Sequence, residues 1–415
     1  MPSNLRHIEF DLNSPAFQIS SNCIQQLSSL RVLKLSNAKF ERLPQELGDL
    51  GNGLQKLTIF DCHYLKELPG SISRLGSLRE LGVCCEGLTQ LPEDVGSLNS
   101  LQYLNLGACS SLEALPRSLG NLTSLQDLDL CWCTSLKALP TSFGKLTSLQ
   151  KLSLYVCESL EALPSSFVEL SSLRELDLQS CTKITDLPYG FGKLTSLVKL
   201  SLGCPKLSSI PESIGQLKLL ETIGFNGGGD LKELPDGFCN LSSLTDLYMY
   251  GDRRLEKLPD RFGELTSLKT VTIRGCGSLK KLPESFSQLK SLECLVLSEC
   301  KTLEELCVCF KGLSSLRKLS LKECKLLKKL PEDFHCLSSL EVLDLTNCCT
   351  LEGKWMQSMV KMKKLQILHI NGGTLLEERW EEIRRECDQL WPCTVYTGQV
   401  IITSRIFKHV SFPTL

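Results

Sequence analysis

The chain contains few of the residues from which metal and acid–base sites are built. Only five of its 415 residues are histidine, and C-x-x-C spacing does not occur. Lys and Arg total 46 against 47 for Asp and Glu, so the basic excess of a nucleic-acid or anionic-membrane binder is missing. No apolar run approaches the length that crosses a bilayer, and a secretory h-region is absent. The sequence therefore predicts no metal, no nucleic-acid partner and no membrane partner.

Catalytic motifs are also missing. The phosphate-binding pattern G-x-x-x-x-G-K-[ST] does not occur. A cysteine-dependent enzyme would have to use Cys387 or Cys393 with His409, and the roughly forty residues around them are too few for an independent catalytic domain. We expect a protein without enzymatic activity and without a cofactor.

A repeat dominates what is present. The block L-x-x-L-x-L begins at Leu30 and recurs up to Leu365, with a weaker copy at Leu5, which gives sixteen units. Eleven of the fifteen steps between units are 24 residues long, and twelve of the seventeen prolines occupy one slot of the repeat. This register is the leucine-rich repeat pattern.

The pattern predicts an α/β solenoid, a horseshoe of about sixteen leucine-rich repeats. In L-x-x-L-x-L the leucines of a short strand point inward and the intervening residues face solvent. Successive strands then form a parallel β-sheet on the concave face. A repeat of 24 residues leaves room only for short helical turns on the convex face, where a Phe-Gly-x-Leu stretch fills the core.

The repeat also divides the chain. Residues 1–29 are predicted to be an atypical first repeat and 30–373 the solenoid. Residues 374–415 are predicted to form a C-terminal cap, with a helix over Leu376–Leu390 and a strand-like tail at Val395–Thr403. Nothing comparable covers the edge at Leu5, so we expect a further segment upstream.

Cysteine occupies the slot after the strand in eleven repeats, where a small thiol suits a buried turn. These predicted structural cysteines are Cys62, Cys85, Cys109, Cys133, Cys157, Cys181, Cys204, Cys276, Cys300, Cys324 and Cys348. A column of unpaired thiols indicates a reducing compartment.

Candidate binding residues lie at the second, fourth, sixth and seventh places after each leading leucine, which should line the concave face. Exposed Tyr and Trp favour binding hot spots because they bury a large area at low entropic cost. The first predicted protein-binding cluster and its neighbour comprise Tyr103, Asp127, Asp129, Trp132, Tyr155 and Asp177. A second predicted patch comprises Tyr248, Tyr250 and Arg274.

The run from Cys109 to Leu125 resembles the repeats of plant intracellular NLR-type disease-resistance proteins. The string C-x-x-L-x-x-L-P-x-S-[IF]-G-x-L-x-S-L is characteristic of that family, and here the pattern covers most of Leu54–Leu345, with Leu119 at the [IF] position of the quoted run. The resemblance implies a cytoplasmic immune receptor whose repeats sense a pathogen effector or a guarded host protein and restrain an adjacent nucleotide-binding domain. That domain's P-loop is missing here, so no residue inherits nucleotide switching. The oligomeric state is left open.

An alternative is the substrate-recognition repeats of an F-box-type ubiquitin ligase or another leucine-rich repeat adaptor. The run from Cys181 to Asp186 echoes the C-x-x-I-T-D signature of those proteins. The proline step of the repeat and the lack of an F-box count against it.

Overall fold

The chain forms two compact units, Met1–Leu231 and Lys232–Leu415, and the L-x-x-L-x-L blocks form all of their described strands except the last two. The computed structural model describes residues 5–12, 27, 29–227, 229–306, 309–351, 362–371, 393–396 and 399–402. In the first unit the strands are β1 (His7–Asp11), β2 (Val32–Ser36), β3 (Lys56–Phe60), β4 (Glu80–Cys84), β5 (Tyr103–Asn105), β6 (Asp127–Asp129), β7 (Lys151–Ser153), β8 (Glu175–Gln179), β9 (Lys199–Gly203) and β10 (Thr222–Asn226). In the second unit they are β11 (Asp246–Tyr250), β12 (Thr270–Arg274), β13 (Cys294–Val296), β14 (Lys318–Ser320), β15 (Val342–Asp344), β16 (Ile367–Asn371), β17 (Cys393–Tyr396) and β18 (Gln399–Ile402).

Strands β1 to β10, and separately β11 to β16, pair in parallel with their neighbours in chain order. The register advances by one repeat, so that Leu104 lies beside Leu128 and Leu128 beside Leu152. All three leucines are buried, whereas the residues that alternate with them are exposed or half-buried. The predicted leucine-rich repeat solenoid with a parallel sheet is confirmed.

The pairing changes direction near the C-terminus. Strand β18 is antiparallel to both β16 and β17, with Asn371 opposite Gln399. The helix predicted over Leu376–Leu390 lies outside the described residues. The division of the chain at residues 29 and 373 stays a prediction.

Short 3-10 helices lie on the side opposite the sheet, and the repeat's proline stands immediately before most of them. Pro116, for example, has φ −67° and ψ 151°, because its ring restricts φ to the value that this turn requires. In the first unit the helices are Gln45–Gly53, Gly70–Arg74, Glu93–Ser97, Arg117–Asn121, Phe143–Lys145, Ser165–Glu169, Phe191–Lys193 and Glu212–Gln216. In the second unit, within the described residues, they are Asp236–Asn240, Phe262–Glu264, Glu284–Gln288 and Glu332–Cys336.

Phenylalanines from successive repeats stack in the core beneath these helices. The ring centroids of Phe143 and Phe167 are 6.0 Å apart, and the two stacked rings are nearly parallel, with an interplanar angle of 4°. Phe262 and Phe286 repeat the arrangement at 5.7 Å. These rings are fully buried, so the aromatic of each Phe-Gly-x-Leu stretch fills the far side of the core as the repeat pattern predicts.

The glycine that follows this phenylalanine packs directly against the next repeat. A Cβ added at Gly144 would overlap the backbone carbonyl oxygen of Ser166 and would lie 3.0 Å from that residue's Cβ. The Ser166 hydroxyl in turn donates a 2.8 Å hydrogen bond to the carbonyl of Thr141. The same close approach occurs at Gly96 and Gly120, which occupy the same slot of the repeat after Val95 and Leu119, so these glycines set the spacing between repeats on this side.

The repeat cysteines are all buried and unpaired. In most repeats the thiol donates a hydrogen bond to the carbonyl at the end of the preceding repeat's strand, so that each repeat is joined to the one before it. The pairs, with their Sγ–O distances, are Cys85–Ile59 (3.8 Å), Cys109–Val83 (2.9 Å), Cys133–Leu106 (3.2 Å), Cys157–Leu130 (3.2 Å), Cys181–Leu154 (3.2 Å), Cys204–Leu178 (3.5 Å), Cys300–Ile273 (3.5 Å), Cys324–Leu297 (2.8 Å) and Cys348–Leu321 (3.0 Å). We call this set the cysteine ladder.

Candidate protein-binding surface

The concave face of the first unit contains a depression of about 500 Å³ across β3 to β6. Its lining comprises Lys56, Thr58, Glu80, Leu81, Gly82, Cys84, Tyr103, Leu104, Asn105, Asp127 and Asp129. Most of these residues occupy the second or fourth place after the leading leucine, where the strand turns its side chains away from the core. The depression is therefore formed by the surface that the repeat leaves free for contact.

Glycine creates the space in the middle of the depression. Gly82 lies on β4 in register with Thr58 of β3 and Asn105 of β5. Polar side chains occupy both neighbouring positions, while Gly82 contributes none. The sequence analysis did not identify this glycine. The signal that could have indicated the depression is a glycine at the fourth place after the leading leucine, where the neighbouring repeats carry polar side chains.

Two aspartates two residues apart on β6 form one wall. The Asp129 carboxylate accepts a 2.9 Å hydrogen bond from the backbone N–H of Cys131. The Asp127 carboxylate makes no hydrogen bond or ion pair within the described part of the chain, whereas the backbone N–H of this residue donates to the carbonyl of Gln102. Burial raises the pKa of the Asp127 carboxyl, and the charges of Asp129 and Glu175 raise it further, while Lys151 opposes them.

The neighbouring charges are already matched. Lys56 forms an ion pair with Glu80 across β3 and β4, and the Lys151 ammonium lies 3.4 Å from the Glu175 carboxylate. Both pairs join opposite residues of adjacent strands, as the repeat register predicts. Exposed pairs of this kind contribute at most about 1 kcal/mol each. The two aspartates thus carry the unmatched charge of this surface.

Exposed aromatic rings flank the aspartates. Tyr103 is 45% exposed and lies beside Asp127 in the sheet register, and Trp132 is 52% exposed. The rings of Trp132 and Tyr155 meet edge to face at 6.0 Å with an interplanar angle of 79°. Such a pair contributes about 0.5–1.5 kcal/mol beyond its buried area. The two rings therefore present one preorganised surface.

Trp132 occupies an unfavourable backbone conformation. Its φ is 61°, in the left-handed region that the same turn adopts in other repeats, for example at Ala108, Val156 and Gly251. Its N–H donates a 2.7 Å hydrogen bond to the carbonyl of Tyr155, which holds the turn in place. A bulky side chain is disfavoured by about 1 kcal/mol in this conformation, so its presence at this exposed turn is not required by the fold.

Cys131 and Asp177 complete this part of the surface. The thiol of Cys131 is half-buried, and burial together with its hydrogen bond to the Asp129 carboxylate raises its pKa to about 12. Asp177 lies on β8 beside Ser153, accepts a 2.9 Å hydrogen bond from the N–H of Gln179, and has its pKa raised by burial. It lies outside the lining of the depression.

The second predicted patch lies in the second unit. The rings of Tyr248 and Tyr250 are 6.4 Å apart and nearly parallel. Tyr250 is in register with Arg274, whose Nε lies 2.8 Å from Oε1 of Glu299. Burial raises the pKa of both tyrosines. This patch is therefore aromatic, and the charge of its one cation, Arg274, is balanced by Glu299.

Two further properties bear on the surface. Among the described residues, no group of three or more His, Cys, Asp or Glu side chains is arranged to hold a metal ion. No helix in the same part of the chain is long and apolar enough to cross a membrane.

The fold and this surface define a leucine-rich repeat protein-interaction module. A family model described as a leucine-rich repeat region matches residues 5–136, 71–161, 118–209 and 250–406. The chain therefore belongs to the leucine-rich repeat region family.

Two curated relatives match only part of the chain. One, the LRR repeats and ubiquitin-like domain-containing protein of Arabidopsis thaliana, is 32% identical over 99 residues, which are 23% of this chain and 26% of the relative. The other, MAP kinase phosphatase with leucine-rich repeats protein 1 of Dictyostelium discoideum, is 30% identical over 109 residues, which are 26% of this chain and 13% of the relative. The matches thus span about a quarter and about an eighth of these relatives.

Solved structures match over most of the chain. A leucine-rich repeat protein of Leptospira interrogans is 26% identical with a TM-score of 0.60, over 94% of this chain and 95% of that chain. The Toll–Spatzle complex of Drosophila is 20% identical with a TM-score of 0.63, over 91% of this chain and 52% of that chain. At that identity, the second match shows the fold alone.

Proposed function

We propose that this chain is a non-enzymatic module that captures a protein ligand on the concave face of its first unit. The observation that carries the proposal is that Tyr103 and the unmatched carboxylates of β6 line one depression, while the Trp132–Tyr155 pair lies outside that lining, with Trp132 in the turn after β6. Large aromatic rings beside charged groups are the composition of binding hot spots. The second patch, around Tyr250 and Arg274, is proposed as a separate contact surface.

The proposed biological setting is plant innate immunity. The repeat string from Cys109 to Leu125 supports a ligand-sensing and autoinhibitory role in a disease-resistance receptor or a truncated relative. Its ligand would be a pathogen effector, a guarded host protein or an adjacent nucleotide-binding domain. The cysteine ladder supports a cytoplasmic location, since unpaired thiols persist in a reducing compartment. An antibody raised to residues 374–415 distinguishes the two forms of this hypothesis: a native band well above 46 kDa supports a longer receptor, whereas a band at 46 kDa contradicts the longer receptor and leaves the truncated relative.

Replacing Trp132 and Tyr155 together by alanine should weaken capture of the ligand at least tenfold, because hot-spot aromatics contribute about 2 kcal/mol or more. The measurement is affinity capture from pathogen-challenged leaf tissue with quantitative mass spectrometry. Tyr189→Ala is the matched control, because Tyr189 is a fully exposed aromatic outside the sheet. Equal recovery of every captured protein by the double variant and the control would contradict the proposal.

A role in substrate recognition for a ubiquitin ligase is the second candidate. It is supported by the run from Cys181 to Asp186 and by the Arabidopsis relative, whose name includes a ubiquitin-like domain. Cys181 and Ile184 are fully buried, so they serve the repeat itself. Co-purification of a ligase adaptor subunit would support this candidate, and its consistent absence would remove it.

A further inference from the structure

The depression on β3 to β6 combines three carboxylates with a single ammonium group. Glu80 is matched by Lys56, which leaves Asp127 and Asp129 facing the space above Gly82. Lys151, the cation that acts on Asp127, is held by Glu175 on the far side. A group entering the depression therefore meets net negative charge, and its complement is a cation.

The surroundings favour a cationic side chain with an apolar stem. The volume of about 500 Å³ exceeds what a bare ion needs. The exposed ring of Tyr103 stands at the edge beside Asp127, where it can stack against a cation. A long side chain from a protein ligand would place its stem along this ring and its charge between the carboxylates.

The spacing of the acceptors distinguishes between the two long cations. Alternate residues of a strand face the same side and lie about 7 Å apart, so Asp127 and Asp129 offer two separate acceptors. A guanidinium group is planar and carries five N–H donors along its edges, whereas an ammonium is a compact point charge. Only the guanidinium can donate to both carboxylates from one plane.

We infer that this depression receives an arginine side chain of the protein ligand, held between Asp127 and Asp129 and stacked on Tyr103. The inference rests on the proposed function and specifies the chemistry of the partner. It makes the first unit selective for a ligand segment that exposes arginine next to apolar residues, which the Trp132–Tyr155 pair can contact.

The test uses the full chain and three synthetic peptides of sequence acetyl-Gly-Leu-X-Leu-Gly-amide, in which X is arginine, lysine or citrulline. Citrulline keeps the planar shape but has no charge. Ligand-observed NMR titration should give saturable binding of the arginine peptide with a Kd of about 1 mM, the range expected for a single anchoring side chain. The lysine and citrulline peptides should bind at least tenfold more weakly.

The variants Asp127→Asn and Asp129→Asn should each weaken binding of the arginine peptide by about ten- to a hundredfold, as expected for the loss of a charged hydrogen-bond acceptor. Asparagine at 129 still accepts the bond from the Cys131 N–H, so the turn is retained. Asp344→Asn is the matched control: Asp344 occupies the same place in its repeat and accepts the equivalent 2.9 Å bond from the N–H of Thr346. This control should bind as the unaltered chain does.

Absence of saturation up to about 20 mM, equal binding of the citrulline or lysine peptide, or unchanged binding by both β6 variants would each overturn the inference. The proposed function fails independently. If the Trp132 and Tyr155 variant loses its captured protein while the peptides show no preference for arginine, the surface binds protein without an arginine anchor.

Discussion

Replacing Gly144 by alanine is expected to lower the free energy of unfolding of the first unit by about 3 kcal/mol, at the upper end of the cost of overpacking. The added methyl group would overlap the carbonyl oxygen of Ser166. That oxygen belongs to the backbone, so no side-chain rotation relieves the overlap, and the neighbouring repeat has to move. In a solenoid each repeat is stabilised mainly by its neighbours, so a displaced interface weakens both. Urea unfolding followed by circular dichroism measures the loss.

Gly70→Ala is the matched control for this substitution. Gly70 also lies at a 3-10 helix of the first unit, but a Cβ added there has no atom within 4 Å. Alanine at such a position should leave stability unchanged or raise it by up to about 1 kcal/mol, because it restricts the unfolded chain. Equal urea midpoints for the two variants would show that the approach of Gly144 to Ser166 does not limit the spacing between repeats.

The register of the sheet could be predicted from the sequence because the repeat length is nearly constant. When Lys151 and Glu175 occupy the same place in successive units, parallel pairing has to set them side by side, and their ion pair follows. The buried leucines and the aromatic of each Phe-Gly-x-Leu stretch follow from the same periodicity. Features that recur in every unit are therefore accessible to sequence alone.

The depression was not predictable in this way, because it depends on one residue that breaks the pattern. Gly82 leaves a space in the surface because the larger side chains of Thr58 and Asn105 lie on either side of it. The sequence does not give the distances between these side chains. The sequence predicted which aromatics and aspartates share this face. Their arrangement around a cavity required coordinates.

We expect the cysteine ladder to make the fold sensitive to alkaline pH. Burial raises the pKa of the Cys109 and Cys157 thiols to about 12 and that of Cys133 still further. In the unfolded chain a thiol has a pKa of about 8.5, so the unfolded state releases these protons first as the pH rises. The stabilisation from neutral buried thiols is complete below pH ~8.5 and is lost progressively as the pH rises from ~8.5 to ~12. Each thiol lowers the free energy of unfolding by about 1.4 kcal/mol per pH unit within that window.

The substitution Cys133→Ser isolates one member of the ladder. Serine keeps a donor for the carbonyl of Leu106 but does not titrate. The free energy of unfolding should therefore fall less steeply with pH in this variant, and its slope should be smaller than that of the unaltered chain by about 1.4 kcal/mol per pH unit. Cys133→Ala should show the same reduced slope with a different value at neutral pH, because it removes the same proton but also the hydrogen bond. Urea titrations from pH 8 to 11 under a reducing agent give the slopes, with Ser153→Ala as a control that retains the thiol. An unchanged slope in both Cys133 variants would mean that this thiol ionises equally in the folded and unfolded chains, and that the ladder is not held together by neutral thiols.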